Sequence, residues 1–245
     1  MRLSRIYLDT DITLQHRVEL PTAAAHYIKN VLRLKEGQQI TIFNGMDSRE
    51  FTARIEFVRK TVTATPLTIT ENNLESPIHS SIIQALGKPE HIDFIVQKST
   101  EMGVNRICLF NSERTQHHLK AERLQKKLDH WKSIMISACE QCGRNMLPEI
   151  EFVTELESAL QSNTDSDRIV LDFAGAGFDQ ISPDFSNAKS FAMLIGAEGG
   201  LSETEISQAR QAGFIPCRMG PRVLRMETAA IAILALVQHQ FGDMN

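Results

Sequence analysis

Residues 191–205 read FAMLIGAEGGLSETE and decide the fold of the larger part of the chain. The apolar run Phe191–Ile195 predicts a buried strand, and the glycines after it let the backbone turn sharply and approach a ligand closely. Ser202 and Glu205 have the spacing of a capping box, so a helix is predicted to begin there. In open α/β sheets, ligands bind beyond the carboxyl ends of the strands. The segment fits a ligand loop and a plain strand-to-helix turn equally well, and it matches neither the G-x-G-x-x-G nor the P-loop fingerprint.

A second glycine-bearing strand end follows at residues 219–228, which read MGPRVLRMET. Arg222 and Arg225 stand between a predicted strand and an apolar helix, where an unpaired guanidinium is costly. We expect these arginines to face an anion or a cleft, although Glu227 offers one of them a purely structural partner.

Residues 73–245 alternate short apolar runs with segments of helical periodicity, which is typical of an α/β fold with a mostly parallel sheet covered on both faces. The predicted strands are 81–86, 106–110, 168–173, 191–195 and 214–219. The predicted helices are 92–102, 119–143, 155–161, 203–211 and 226–241. The last helix is apolar nearly all round, so we expect more than one of its faces to be buried, in part by a subunit interface.

Residues 1–72 have a different texture, with short alternating runs that favour a small β-barrel or sandwich. The predicted strands are 5–8, 39–44, 51–57 and 61–69, and one helix is predicted over 22–32. The polar, proline-terminated segment 71–77 is typical of a linker. The sequence therefore predicts two domains, residues 1–72 and residues 73–245.

The composition is that of an average globular protein, with 42% hydrophobic and 23% charged residues. The formal net charge of −4 argues against a protein that coats nucleic acid non-specifically. That sum averages two unlike parts, because residues 1–72 carry 10 Lys and Arg against 8 Asp and Glu, whereas the rest carries 16 against 22. The start of the chain has no signal-peptide pattern, and the longest uncharged apolar run is about half of a bilayer span. We expect a cytoplasmic protein that does not span a membrane.

The four cysteines do not predict a metal or redox site. Cys139 and Cys142 have C-x-x-C spacing, but no second pair completes a zinc site. The pair also ends a long predicted helix, whereas a thioredoxin-type pair begins one. No metal is expected.

Several motifs together resemble the ribosomal RNA small-subunit methyltransferase E family, SPOUT-class enzymes that methylate N3 of a uridine in 16S rRNA. The resemblance rests on IGAEGG at 195–200 together with MGPRVLRMETA at 219–229, and it extends over the whole chain. Further matches are RIY at 5–7, His26 with VLR at 31–33, QKSTEMGV at 97–104, SER at 112–114, and ACEQCGR at 138–144 with Pro148. Ala197 departs from the family, which usually has proline there.

This resemblance implies a PUA-like β-barrel followed by a SPOUT α/β domain tied in a trefoil knot, which periodicity alone does not predict. It also implies that S-adenosyl-L-methionine binds against the two glycine-bearing loops, and that the protein is a homodimer. The residues implied to bind the cofactor are Leu171, Ile195, Gly196, Glu198, Gly199, Gly200, Met219, Gly220, Val223 and Leu224.

Methylation at N3 requires loss of the imide proton and stabilisation of the resulting negative charge. Arg222 or Arg225 is expected to stabilise that charge, and Glu198 or a water to take the proton. The cations expected to bind 16S rRNA of the small ribosomal subunit are Arg5, Lys29, Arg33, Lys98, Arg114 and Arg144.

Two other functions fit parts of the sequence. One is a non-catalytic RNA-binding or assembly module, and it differs from the enzyme by not binding S-adenosylmethionine. The other is a Rossmann-type oxidoreductase that uses the glycine loop at 196–200. The missing dinucleotide fingerprint disfavours this second alternative.

Overall fold

The computed structural model of the chain describes residues 3–59, 61–116, 118–185 and 189–245. The chain divides into two units: Met1–Glu75 with Ile136–Leu147, and Ser76–Met135 with Pro148–Asn245. The first unit therefore includes Ile136–Leu147, which comes late in the sequence, so a single boundary along the chain does not separate the two units.

The first unit is built on a five-stranded sheet that curls into a half-barrel. Its strands are β1 (Arg5–Tyr7), β2 (Val18–Glu19), β3 (Gln39–Phe43), β4 (Arg49–Val58) and β5 (Thr61–Glu71). They lie in the order β1-β3-β4-β5-β2, with β1 and β3 parallel and the other pairs antiparallel. The predicted small barrel is therefore confirmed, while the two-residue strand β2 is too short for a sequence pattern to reveal.

The helix predicted over 22–32 is shorter and changes type. Helix α1 (Thr22–His26) continues as one wider π-helical turn over Tyr27–Val31, in which the Leu32 N–H donates to the Tyr27 carbonyl at 2.9 Å. Arg33 then adopts a φ of +52°, a left-handed conformation that ends the helix. Ile28 of this turn is buried in the core of the half-barrel.

The second unit contains a six-stranded, fully parallel sheet in the order β11-β9-β10-β6-β7-β8. Its strands are β6 (His79–Ala85), β7 (Arg106–Phe110), β8 (Glu149–Val153), β9 (Asp167–Gly177), β10 (Ser190–Ile195) and β11 (Ile215–Arg218). Consecutive residues of β6, β7 and β10 are buried, so both faces of the central strands are covered. The sequence did not predict β8, because it is a partly exposed edge strand with two glutamates.

The helices of the second unit pack against this sheet. They are α2 (Pro89–Glu101), α3 (Ala121–Cys142), α4 (Leu156–Ser162), α5 (Phe178–Ile181), α6 (Glu203–Gln211) and α7 (Met226–Phe241). The last turns of α3 belong to the first unit. Helix α7 packs on α2, β10 and β6, and it buries Ile233, Leu234 and Val237. No helix among the described residues has the length and apolar character needed to cross a membrane.

Two arginines are buried within the first unit. Arg144 donates from Nε to Glu75 Oε1 at 3.0 Å, and Arg5 donates to Glu50 and to Asn145 Oδ1, each at 2.5 Å. The exposed fractions of Arg5 and Arg144 are 7% and 3%. Both were predicted to contact RNA. Because neither guanidinium is at the surface, we remove them from the RNA-binding set and assign them to the interior of this unit.

Substitution of Arg144 by alanine is expected to destabilise the first unit by up to about 3 kcal/mol, because it leaves the largely buried Glu75 carboxylate without its partner. Urea unfolding measures the loss. The matched control is Arg49→Ala, which breaks the exposed Arg49–Asp47 pair and is expected to change the unfolding midpoint little. Equal losses from the two variants would contradict the structural role of Arg144.

Candidate functional site

A cleft of about 430 Å³ lies in the second unit at the carboxyl ends of three neighbouring strands, β9, β10 and β11. Parallel strands end at the same edge of a sheet, so the loops that follow them meet there. The cleft is lined by residues of these loops and of adjoining elements: Arg114, Leu171, Asp172, Phe173, Glu198, Gly199, Gly200, Leu201, Ile206, Cys217, Met219, Arg222, Val223, Leu224 and Ala229. Its volume is in the range typical of small-molecule sites.

The first wall is an excursion in β9. Strand β11 pairs with Val170 through Pro216 and then with Ala176 through Cys217, so residues 171–175 leave the ladder. Gly175 closes this bulge, since a Cβ there would lie 2.5 Å from the Pro216 carbonyl. The sequence predicted a strand that ended at residue 173. The ladder instead resumes at Ala176, three residues later, after the bulge has brought residues 171–173 to the cleft.

The second wall is the glycine loop after β10. The Gly200 N–H donates to the Ala197 carbonyl at 2.8 Å, and Gly200 has a φ of +72°. Gly196 lies behind this turn, where a Cβ would come within 2.7 Å of the Leu201 nitrogen. The predicted capping box is confirmed, with the Glu205 N–H donating to Ser202 Oγ at 3.0 Å.

Glu198 projects from this loop and accepts a hydrogen bond from the Lys88 N–H at 3.0 Å, with His91 Nδ1 at 3.3 Å. Burial favours the neutral carboxyl group. The hydrogen bonds from the Lys88 backbone, from its own N–H and from His91 outweigh burial and hold the pKa of Glu198 below its ordinary value. The carboxylate is therefore charged at neutral pH and fastens the glycine loop to the start of α2.

Arg114 also faces the cleft. Its Nη1 donates to the Gly199 carbonyl at 3.0 Å, and its side chain packs beside Gly199. The loop that carries Arg114 is held by Glu205 Oε1, which accepts the Glu113 N–H at 3.0 Å. The sequence predicts that Arg114 binds RNA, and in the structure it also contacts the glycine loop directly.

The third wall is the segment after β11, where Gly220 turns the chain with a φ of +78°. Arg222 and Val223 line the cleft and are exposed. Arg225 lies outside the lining, at the N-terminal cap of α7, where its carbonyl accepts the Ala229 N–H. The two predicted catalytic arginines thus occupy different positions, and only Arg222 faces the cleft.

The cofactor residues implied by the family resemblance divide into two groups. Seven line the cleft: Leu171, Glu198, Gly199, Gly200, Met219, Val223 and Leu224. Ile195, Gly196 and Gly220 lie outside the lining and instead shape the turns. Asp172, Phe173, Leu201, Ile206, Cys217 and Ala229 also line it and were missed. Asp172 and Phe173 directly follow Leu171 in the sequence, and this adjacency is the signal that could have identified them.

The remaining predicted RNA-binding cations are dispersed. In the first unit, Lys29 Nζ lies 5.2 Å from the centre of the Phe57 ring, and Arg33 is exposed. In the second unit, Lys98 pairs with Glu101 at 2.8 Å. Among the described residues, no group of three or more His, Cys, Asp or Glu side chains is placed to hold a metal ion.

Two family models match the chain. A model described as an RNA methyltransferase domain matches residues 74–238, and one described as an RNA methyltransferase PUA domain matches residues 20–67. The former covers more than half of the chain and all three walls of the cleft.

Curated relatives match over the full length. The chain is 36% identical to ribosomal RNA small subunit methyltransferase E of Buchnera aphidicola (Schizaphis graminum), over 100% of this chain and 99% of the relative. It is 30% identical to the enzyme of the same name from Bacillus subtilis, over 94% of each chain.

Solved structures match as closely. A methyltransferase from Legionella pneumophila in complex with its bound cofactor SAM superimposes with a TM-score of 0.93 at 37% identity, over 99% of this chain and 100% of that one. A ribosomal RNA small subunit methyltransferase E from Neisseria gonorrhoeae bound to S-adenosyl methionine gives 0.89 at 31% identity, over 100% of both chains.

Gly196→Ala is expected to destabilise the second unit by about 1–3 kcal/mol, because the new methyl group collides with backbone that cannot swing aside. Urea unfolding measures the effect. The control is Gly177→Ala, whose Cβ would meet only Gln180 Oε1 at 3.8 Å and is expected to change stability little. Unchanged stability of Gly196→Ala would show that the loop does not depend on this close approach.

Proposed function

The chain belongs to the ribosomal RNA small subunit methyltransferase E family, and on that premise we propose that it transfers the methyl group of S-adenosylmethionine to N3 of a uridine in 16S rRNA. The observation that carries the proposal is the cleft at the ends of β9, β10 and β11. Three separate loops converge there on a space of small-molecule size, in a chain whose fold matches that of an S-adenosyl methionine complex.

The residues of the cleft fit S-adenosylmethionine. Leu171, Leu201 and Ile206 offer apolar surface for adenine and ribose. Gly199 and Gly200 carry no side chains, so adenine and ribose can lie directly against the backbone of this loop. The charged Glu198 carboxylate complements a cofactor that carries a sulfonium and an ammonium group.

Bound S-adenosylmethionine supplies an activated methyl group on a positively charged sulfur, so the protein has mainly to align the uridine with it. The glycine loop and the segment after β11 form two walls of the cleft in which the uridine and the methyl group must be aligned. Arg222 is placed on the lining, where its guanidinium can hydrogen-bond the uracil oxygens as negative charge develops on the imide. Arg225 lies outside the lining and is the weaker of the two catalytic candidates.

The proton on N3 must leave before the nitrogen can attack. Glu198 is a poor proton acceptor, because the hydrogen bonds that lower its pKa stabilise the charged carboxylate. We therefore assign proton removal to water at the open mouth of the cleft, and assign Glu198 to holding the glycine loop.

The proposed substrate also sets the expected partners and place of action. Lys29 and Arg33 remain candidates for rRNA contacts in the first unit, Arg114 and Lys98 in the second. Helix α7 leaves the apolar residues Ile231 and Leu236 partly exposed, which supports a homodimer interface there. An enzyme that modifies 16S rRNA of the small ribosomal subunit is expected to act in the cytoplasm.

Mass-spectrometric mapping of 16S rRNA tests the function directly. In cells that lack the protein, one N3-methyluridine is expected to disappear and to return when the gene is restored. If every modification persists, the substrate assignment fails. Calorimetric titration with S-adenosylmethionine separates the enzyme from a non-catalytic RNA-binding module, since only the enzyme is expected to bind it.

Arg222→Ala is expected to lower kcat on small ribosomal subunits by about 10²–10³-fold, as the loss of one charge-stabilising donor does. Arg225→Ala is expected to reduce activity less, because that residue lies outside the cleft lining. Arg123→Ala on the surface of α3 serves as the control and is expected to keep full activity. Methyl incorporation from labelled cofactor measures all three, and full activity of Arg222→Ala would exclude this role.

A further inference from the structure

Phe173 stands at the mouth of the cleft with 60% of its surface exposed. We propose that its ring is the surface on which the target uracil stacks after it leaves the RNA structure, so that Phe173 positions the substrate. The inference rests on the proposed function, because it assumes that a pyrimidine enters this cleft for methylation. Phe173 is not among the site residues that the sequence predicts.

The backbone around Phe173 is built to present it. Both oxygens of the neighbouring Asp172 carboxylate are engaged, Oδ1 by the Ala174 N–H at 3.1 Å and Oδ2 by Arg210 Nη2 at 3.3 Å. On the other side, Gly175 packs its backbone directly against Pro216. A bulge held at both ends fixes where its middle residue lies. An aromatic ring presented to solvent by such a turn contributes little to the core, which points to a ligand.

The depth of the cleft separates two binding regions. Cys217 and Leu201 are buried at its floor, whereas Phe173 and Val223 are the most exposed large apolar side chains on its lining. A small cofactor that fills the buried part of the cleft leaves the side chains of Phe173 and Val223 at the entrance. The acceptor base must reach the methyl group from that entrance, and a planar base gains most from a planar aromatic surface.

Cations border the same entrance. Arg222 and Arg114 both line the cleft and are exposed. Phosphate contacts from arginine fix the register of a nucleic acid, and aromatic stacking holds a displaced base. A polyanion with an unpaired base satisfies both features, because Arg114 can contact phosphate while Arg222 contacts the uracil oxygens, whereas an apolar protein surface would cover two charged groups and supply no anion.

The test compares Phe173 variants on small ribosomal subunits. Phe173→Ala is expected to lower kcat/KM for the RNA by about 5- to 150-fold, the range expected for loss of one base–aromatic stack. Phe173→Tyr is expected to retain activity, and Phe173→Leu, apolar but without a π-face, is expected to lose nearly as much as alanine. Calorimetric affinity for S-adenosylmethionine is expected to be unchanged in all three. Phe94→Ala, which removes an exposed phenylalanine from α2, is the matched control.

Each other outcome overturns the inference in its own way. Full activity of Phe173→Leu would show that an apolar side chain is sufficient at this position and that the uracil does not need an aromatic face to stack on. A parallel loss of S-adenosylmethionine affinity would assign the ring to the cofactor, and a change in oligomeric state in sedimentation would assign it to contact with a second copy of the chain. Absence of methyl transfer by the unaltered protein would instead refute the proposed function, which distinguishes the two failures.

Discussion

Close backbone packing at two glycines is the constraint on which the cleft depends. At Gly175 the bulge of β9 lies against the Pro216 carbonyl, and at Gly196 the end of β10 lies against the backbone of Gly200 and Leu201. Any side chain at either position would separate segments that must touch. Because the strands are parallel and adjacent, this contact brings three loops to one edge of the sheet. The cleft is thus a consequence of backbone approach, and its side chains complete a shape that the glycines permit.

Four arginines of this protein fall into two groups that differ in burial and in charge partners. Arg5 and Arg144 are buried against carboxylates and an asparagine of the same unit, so they stabilise structure. Arg114 and Arg222 are exposed beside the cleft, where they can meet an anionic substrate. A net charge of −4 is compatible with an RNA enzyme when a few cations are placed at one entrance in this way.

Much of the fold could be predicted because its strands and helices carry strong local patterns. Helix α6, β7 and α7 have the predicted bounds, and the loops after β10 and β11 were recognised from their glycines. The excursion at 171–175 could not be predicted, since it depends on the register of β11 against β9, which periodicity does not encode. The burial of Arg5 and Arg144 was missed for a similar reason, because Arg5 bonds to Glu50 and Asn145 and Arg144 bonds to Glu75, and each partner is at least 45 residues away in the sequence. The family resemblance, and no local pattern, implied the cofactor and the knot.

A crystal structure of the protein with S-adenosylmethionine tests the central claim most directly. The account predicts cofactor density between Leu171, the glycine loop at 198–201 and the segment 219–224, with the carboxylate of Glu198 still accepting the Lys88 N–H. Density at another edge of the sheet, or a cleft left empty at saturating cofactor, would contradict it.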